Sequence, residues 1–182
     1  MLWPHSIAGP IPAAASNSAI QSAMASMLVV DMVEEARLAY PTIVYDLRIE
    51  GQALVMADSG RLGQVLSNLL SNARHHGEPN QPIGILLHCV NGQAEISIAN
   101  AGAPIPHEIE SGLFNPFKRS SLNNPRNRTG MGLGLYISRQ IAERHGGRLW
   151  AASPGEGQGS TFSLWLPRVQ AYGATSHPMT DA

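Results

Sequence analysis

The 182 residues contain a single cysteine, Cys89, so no disulfide can form within the chain and a reducing, cytoplasmic setting is expected. No run approaches the roughly 18 apolar residues of a membrane span. Charged residues make up only 14% of the chain and the net charge is −1. The chain as a whole is therefore not drawn to nucleic acid or to an anionic membrane. The N-terminal stretch has no basic region ahead of its apolar residues and is broken by Pro4, Pro10 and Pro12, which argues against a signal peptide. No internal repeat is visible, and no "GK[ST]" phosphate loop occurs.

What is present suits one domain with a real core: 43% of the residues are apolar. Residues 1–26 read as a disordered linker, 27–168 as the domain and 169–182 as a tail. Within the domain, "MLVVDMVEEARLAY" (27–40) has helical spacing and Pro41 ends it. "TIVYDLRI" (42–49) alternates like a strand, and Gly51 turns the chain into a second one, "ALVMA". Asp58 or Ser59 caps the next helix, "RLGQVLSNLLSNARHHG" (61–77), and Gly77 is suited to its C-cap.

On that helix Leu62, Val65, Leu66, Leu69, Leu70 and Ala73 share one face at steps of three and four. Asn68 and Asn72 lie together along one edge of it, with His75 continuing the strip and His76 nearer the apolar side. Two strands joined at Asn91-Gly92 follow. Then come a loop with one helical turn, a long Gly-, Asn- and Arg-rich segment, the helix "LGLYISRQIAERHGG", and two last strands. Mostly hairpin-linked strands with helices between pairs predict an α+β fold. It is a two-layer sandwich with a mixed, mostly antiparallel sheet covered on one face by three helices.

Charge is unevenly placed. Between 118 and 148 there are seven basic residues and one acid, Glu143. Such a face is either simply solvated or an anion site. Gly130, Gly132 and Gly134 of "TGMGLGL" open a helix there, where unpaired amides and the helix dipole favour a phosphate. A loop precedes them, not the strand of a dinucleotide fingerprint.

Four features stand in one order: "NLLSNARHHG" (68–77), "NAGAPIP" (100–106), "LFNPF" (113–117) with "GMGLGL" (130–135), and "GEGQGSTF" (155–162). Together they resemble the N, G1, F, G2 and G3 boxes of the ATP-binding catalytic domain of sensor histidine kinases. That domain has the Bergerat fold of the GHKL superfamily, shared with type II topoisomerases, heat-shock chaperones and mismatch-repair proteins. The resemblance covers about residues 28–167.

It implies that Asn72 is the Mg2+ ligand, its amide oxygen being a hard donor beside ATP phosphates. Asn68 faces the same site, where the hydrolysing relatives place a glutamate base. An asparagine cannot take a proton, which favours phosphoryl transfer over hydrolysis. His75 stands where a lysine or arginine usually reaches a phosphate, and His76 where an aromatic residue or histidine lies near the phosphates. Asn100 replaces the aspartate that accepts from the adenine amino group, as its carbonyl oxygen still can.

Gly102 keeps its place in that box, Pro104 replaces the second glycine, and Ile105 is expected near the base. Phe114 and Phe117 match the base of the ATP lid. The lid cations Lys118, Arg119, Arg126 and Arg128 supply one or more phosphate contacts. Gly130, Gly132, Leu133 and Gly134 match the phosphate turn, and Ser160 and Thr161 the last box.

The resemblance also implies two partners: a dimerisation domain carrying the phosphoacceptor histidine, which this chain lacks, and a response regulator. It allows a cytoplasmic domain or the cytoplasmic part of a membrane-bound sensor. A non-catalytic nucleotide-binding module and a stand-alone ATP hydrolase are the alternative readings.

Overall fold

A computed structural model describes residues 21–116, 133–153, 155 and 157–167. Strand β1 (Gln21–Met24) leads into helix α1 (Ala25–Ala39), which strands β2 (Tyr45–Glu50) and β3 (Leu54–Ala57) follow. Helix α2 (Ser59–His76) comes next, then strands β4 (Ile83–Val90) and β5 (Gln93–Asn100). A single turn of helix, α3 (His107–Glu110), precedes helix α4 (Gly134–Arg144) and strands β6 (Arg148–Ala152) and β7 (Ser160–Leu166).

Five strands form the main sheet in the order β2-β4-β5-β7-β6. Only β2 and β4 run parallel; the other pairs are antiparallel. This is the mixed, mostly antiparallel sheet that the sequence predicts. The β4–β5 hairpin turns at Asn91 and Gly92, both at positive φ (52° and 76°), so the two-residue turn matches the twist of its strands.

Alternation along β4, β5 and β7 sends Ile83, Ile85, Leu87, Ile96, Ile98 and Leu164 to the helical side, where they are buried. Helix α2 lies between α1 and α4 and presents its leucines to that surface; Leu62 and Leu69 are completely inaccessible. Burying one such leucine stabilises the fold by about 1.5–3 kcal/mol.

The structure differs from expectation in three places. Residues 21–26 are not linker: they form β1 and the start of α1, with Ala25 buried and its N–H bonded to Ala53 O at 3.1 Å. Their small polar and apolar residues carry no periodic pattern, because backbone pairing with β3 holds them. For the same reason β3 does not pair with its neighbour β2; β1 and β3 make a separate antiparallel pair. Third, Gly77 caps α2 with φ −70°, not with left-handed backbone. It is glycine for space, since a Cβ there would lie 2.5 Å from Ala73 O. Of the two proposed N-caps, Asp58 is the one used: its carboxylate accepts from Arg61 N–H at 3.0 Å. Among the described residues no helix is long and apolar enough to cross a membrane.

Candidate nucleotide-binding site

The two asparagines that interrupt α2 have different surroundings. Asn68 is half-buried and its Nδ2 donates to Gly134 O (3.3 Å) and to Ser138 Oγ (3.1 Å). The side-chain N–H groups thus hold the start of α4, which leaves the amide oxygen as an acceptor. Ser138 is fully inaccessible and was not singled out from the sequence. Its one signal there was a hydroxyl on an otherwise apolar helix face. Asn72, one turn further along α2, is half-buried and its side chain has no hydrogen-bond partner among the described residues. Both lie on the same edge of the helix.

Leu133 precedes α4 without a side-chain cap. The first intrahelical bond is Ile137 N–H to Leu133 O, so the amides of Gly134, Leu135 and Tyr136 have no intrahelical acceptor. With the helix dipole, this uncapped turn is a place for negative charge beside the Asn68 edge.

His75 continues the edge, but its ring folds back on its own helix. Nδ1 lies 2.6 Å from Ser71 O and therefore carries the proton. Only Nε2 is left to face a phosphate. His76 is exposed overall, yet its ring is crowded at the helix end. Burial first, and the neighbouring His75 second, lower its pKa, which favours the neutral ring.

At the end of β5, Asn100 is 4% exposed. Opposite it on β7, Ser160 donates from Oγ to Asn100 Oδ1 at 3.1 Å, and Asn100 Nδ2 donates to Ala101 O at 3.1 Å. The carbonyl of Ala101 fixes the amide: a flip would set two acceptors against each other. One lone pair of Oδ1 then remains for a further donor. Gly102 follows at φ 134°, so close to the end of α2 that a Cβ would lie 3.0 Å from His76 O. Ile105, half-buried, packs against the core. A crevice of about 470 Å³ reaches Asn100 and Ala101 from the α2 end, past Arg74, His75 and Gly77.

The described structure thus brings Asn68 and Gly134 together at one end, and Asn100, Gly102 and Ser160 at the other. Asn72, His75 and His76 lie along the helix between them. Thr161 is a correction: strand alternation places Ser160 and Phe162 on the helical side and Thr161 on the opposite face of the sheet. Phe117, Lys118, Arg119, Arg126, Arg128, Gly130 and Gly132 lie outside the described residues. Phe114 is described; it packs against the core, with the Arg139 guanidinium 6.0 Å from its ring centre.

A family model described as "Histidine kinase-, DNA gyrase B-, and HSP90-like ATPase" matches residues 57–170. A bacteriophytochrome of Pseudomonas aeruginosa is 43% identical over 146 residues, 80% of this chain and 20% of that protein. The circadian input-output histidine kinase CikA of Synechococcus elongatus is 34% identical over 147 residues, 80% of this chain and 19% of the relative. The chain therefore spans about a fifth of the length of these curated relatives. Among solved structures, the mycobacterial sensor histidine kinase MprB superposes with a TM-score of 0.71 at 27% identity, covering 81% of this chain and 97% of that one.

Proposed function

The chain belongs to the histidine kinase-, DNA gyrase B- and HSP90-like ATPase family, and from that membership we propose that it is the ATP-binding catalytic domain of a two-component sensor histidine kinase. It binds ATP with Mg2+ between α2, the start of α4 and the turn after β5. The γ-phosphoryl leaves ADP and forms a P–N bond with a histidine on a separate dimerisation domain, from which a response regulator receives it. The domain acts on the cytoplasmic side, free or as part of a membrane-bound sensor.

The observation that carries this reading is the arrangement along one edge of α2. Asn72, whose side chain has no hydrogen-bond partner among the described residues, and the uncapped turn of α4 lie at its phosphate end, and the oriented amide of Asn100 at its base end. The adenine amino group donates to the remaining lone pair of Asn100 Oδ1. The phosphates meet the amides of Gly134 and Leu135 and the glycines before them, with Lys118 and Arg119 from the lid. His75 can offer only Nε2 to this end, because Nδ1 is held by Ser71 O. The donor set suits Mg2+. Asn72 offers one neutral oxygen, and no cluster of three acidic, histidine or cysteine side chains exists among the described residues. Such an ion takes most of its ligands from phosphate and water. When bound, the ion would be held by Asn72 and would supply neutralisation of the phosphate charge.

Asn68 separates transfer from hydrolysis. Its amide is not a base, and its Nδ2 is occupied in holding α4. Nothing at this position activates water, and catalysis rests on positioning and charge neutralisation.

Calorimetric titration tests the reading. Mg-ATP should bind, with weaker binding when magnesium is removed. Asn72→Ala should lower Mg-ATP affinity roughly tenfold or more, about 1.4 kcal/mol, and abolish the magnesium dependence. Adding the parent's helical domain in trans should yield acid-labile phosphate on it. No binding at millimolar nucleotide would overturn the reading, and fast phosphate release without an acceptor would replace it with a hydrolase.

A further inference from the structure

The loop after β5 carries the sequence Pro104-Ile105-Pro106. Neither proline has an N–H, so Ile105 holds the one backbone donor of the three residues. That N–H donates to Ser153 Oγ at 3.0 Å, across 48 residues of sequence. The Ser153 hydroxyl in turn donates to Gly159 O at 2.6 Å. Gly159 N–H donates to Gly102 O at 3.1 Å and closes the circuit. Gly159 is itself pressed onto Asn100: its φ is +69°, and a Cβ there would overlap Asn100 O at 1.8 Å.

We propose that Ser153 is a positioning residue for the base end of the nucleotide site, joining the turn after β5 to the turn before β7 through one hydroxyl. The proposal rests on the reading of Asn100 as the base-recognising residue. A serine hydroxyl can accept from one group and donate to another at once, and here it does both between two loops that lie just beyond the Asn100–Ser160 end of the β5–β7 ladder. Without it, Ile105 N–H and Gly159 O each lose a partner. Pro104 then makes the consequence specific. A stiff residue in the turn limits local rearrangement, so losing the anchor displaces Ala103–Ile105 together while Gly102 stays held by Gly159 N–H. Among the described residues Ser153 bonds only to Ile105 and Gly159, neither at the phosphate end, so its influence is on the base.

Three measurements on the full chain test this. In the unsubstituted protein, hydrogen exchange should show the Ile105 amide protected; exchange at the rate of an unbonded loop amide would overturn the clasp. Ser153→Ala should weaken Mg-ATP about five- to tenfold, the loss expected for a hydrogen bond with its partners left open. Displacement by Mg-tripolyphosphate, which has no base, should be unchanged. Ser153→Thr, which keeps the hydroxyl, should restore both the Mg-ATP affinity and the Ile105 protection. Equal losses for Mg-ATP and tripolyphosphate, or unchanged Mg-ATP binding once protection is lost, would overturn the positioning role. Failure of the unsubstituted chain to bind Mg-ATP would instead sink the nucleotide-site reading, and is recognisable because Ile105 protection would persist.

Discussion

At the scale of single residues, Asn100 shows how a polar side chain becomes a fixed instrument. The sequence makes its departure from the family's aspartate plain, because the surrounding "NAGAPIP" aligns by itself. Its orientation was not legible, since the groups that set it are the Ala101 carbonyl and Ser160, 60 residues away. An amide serves both partners, whereas a carboxylate would serve only Ser160. Asn100→Asp should therefore destabilise the protein by about 1–3 kcal/mol at neutral pH, the cost of facing a buried acceptor with another acceptor. Urea denaturation measures this directly. Unchanged stability would mean that the Ala101 carbonyl does not orient the amide. His75 carries the opposite lesson. The sequence placed it at the phosphate end, but its bond to Ser71 O depends on the rotamer and is invisible in any pattern.

At the scale of elements, α2 and α4 run antiparallel and are tied at two places. Asn68 bonds to the start of α4, and His145, just beyond its last turn, bonds back to the start of α2. His145 Nδ1 lies 2.8 Å from Ile141 O and carries the proton, so Nε2 is the acceptor for Asp58 N–H at 3.0 Å. The two ties fix how far α4 stands along α2, and hence where its uncapped turn sits on the Asn68 edge. His145→Phe keeps the ring but leaves Asp58 N–H and Ile141 O without this partner. It should cost about 1–3 kcal/mol and lower nucleotide affinity, whereas an exposed His88→Phe should do neither. Thermal melts and titrations of the two variants make the comparison. Equal behaviour of the pair would show that the tie is dispensable. The three long helices themselves were legible because apolar residues at steps of three and four mark them without ambiguity. The ties were not, because His145 in "ERHGG" looks like an ordinary helix-end residue.

At the scale of the whole molecule, the main sheet and its helical cover followed from strand order and periodicity, but the boundary at residue 27 did not hold. Strand β1 has no hydrophobic alternation, so nothing in residues 21–24 announces it; its stability comes from the ladder with β3. That pair is part of the same core. Val55 and Ala57 on β3 are buried with Ala25, Leu62 and the strands of the main sheet in one continuous cluster. A chain beginning at residue 27 loses the whole β1 ladder and the burial of Ala25, and leaves β3 with an open edge. Against a chain beginning at residue 21, it should be less stable by roughly 2 kcal/mol or more, at about 0.5–1.5 kcal/mol for each lost hydrogen bond. Because the core is shared, the loss should appear as a lower midpoint of one calorimetric transition and not as a separate early one. A separate transition would mean that β1 and β3 form a unit of their own. An unchanged midpoint would mean that β1 contributes nothing to the fold and that residue 27 was the correct boundary after all.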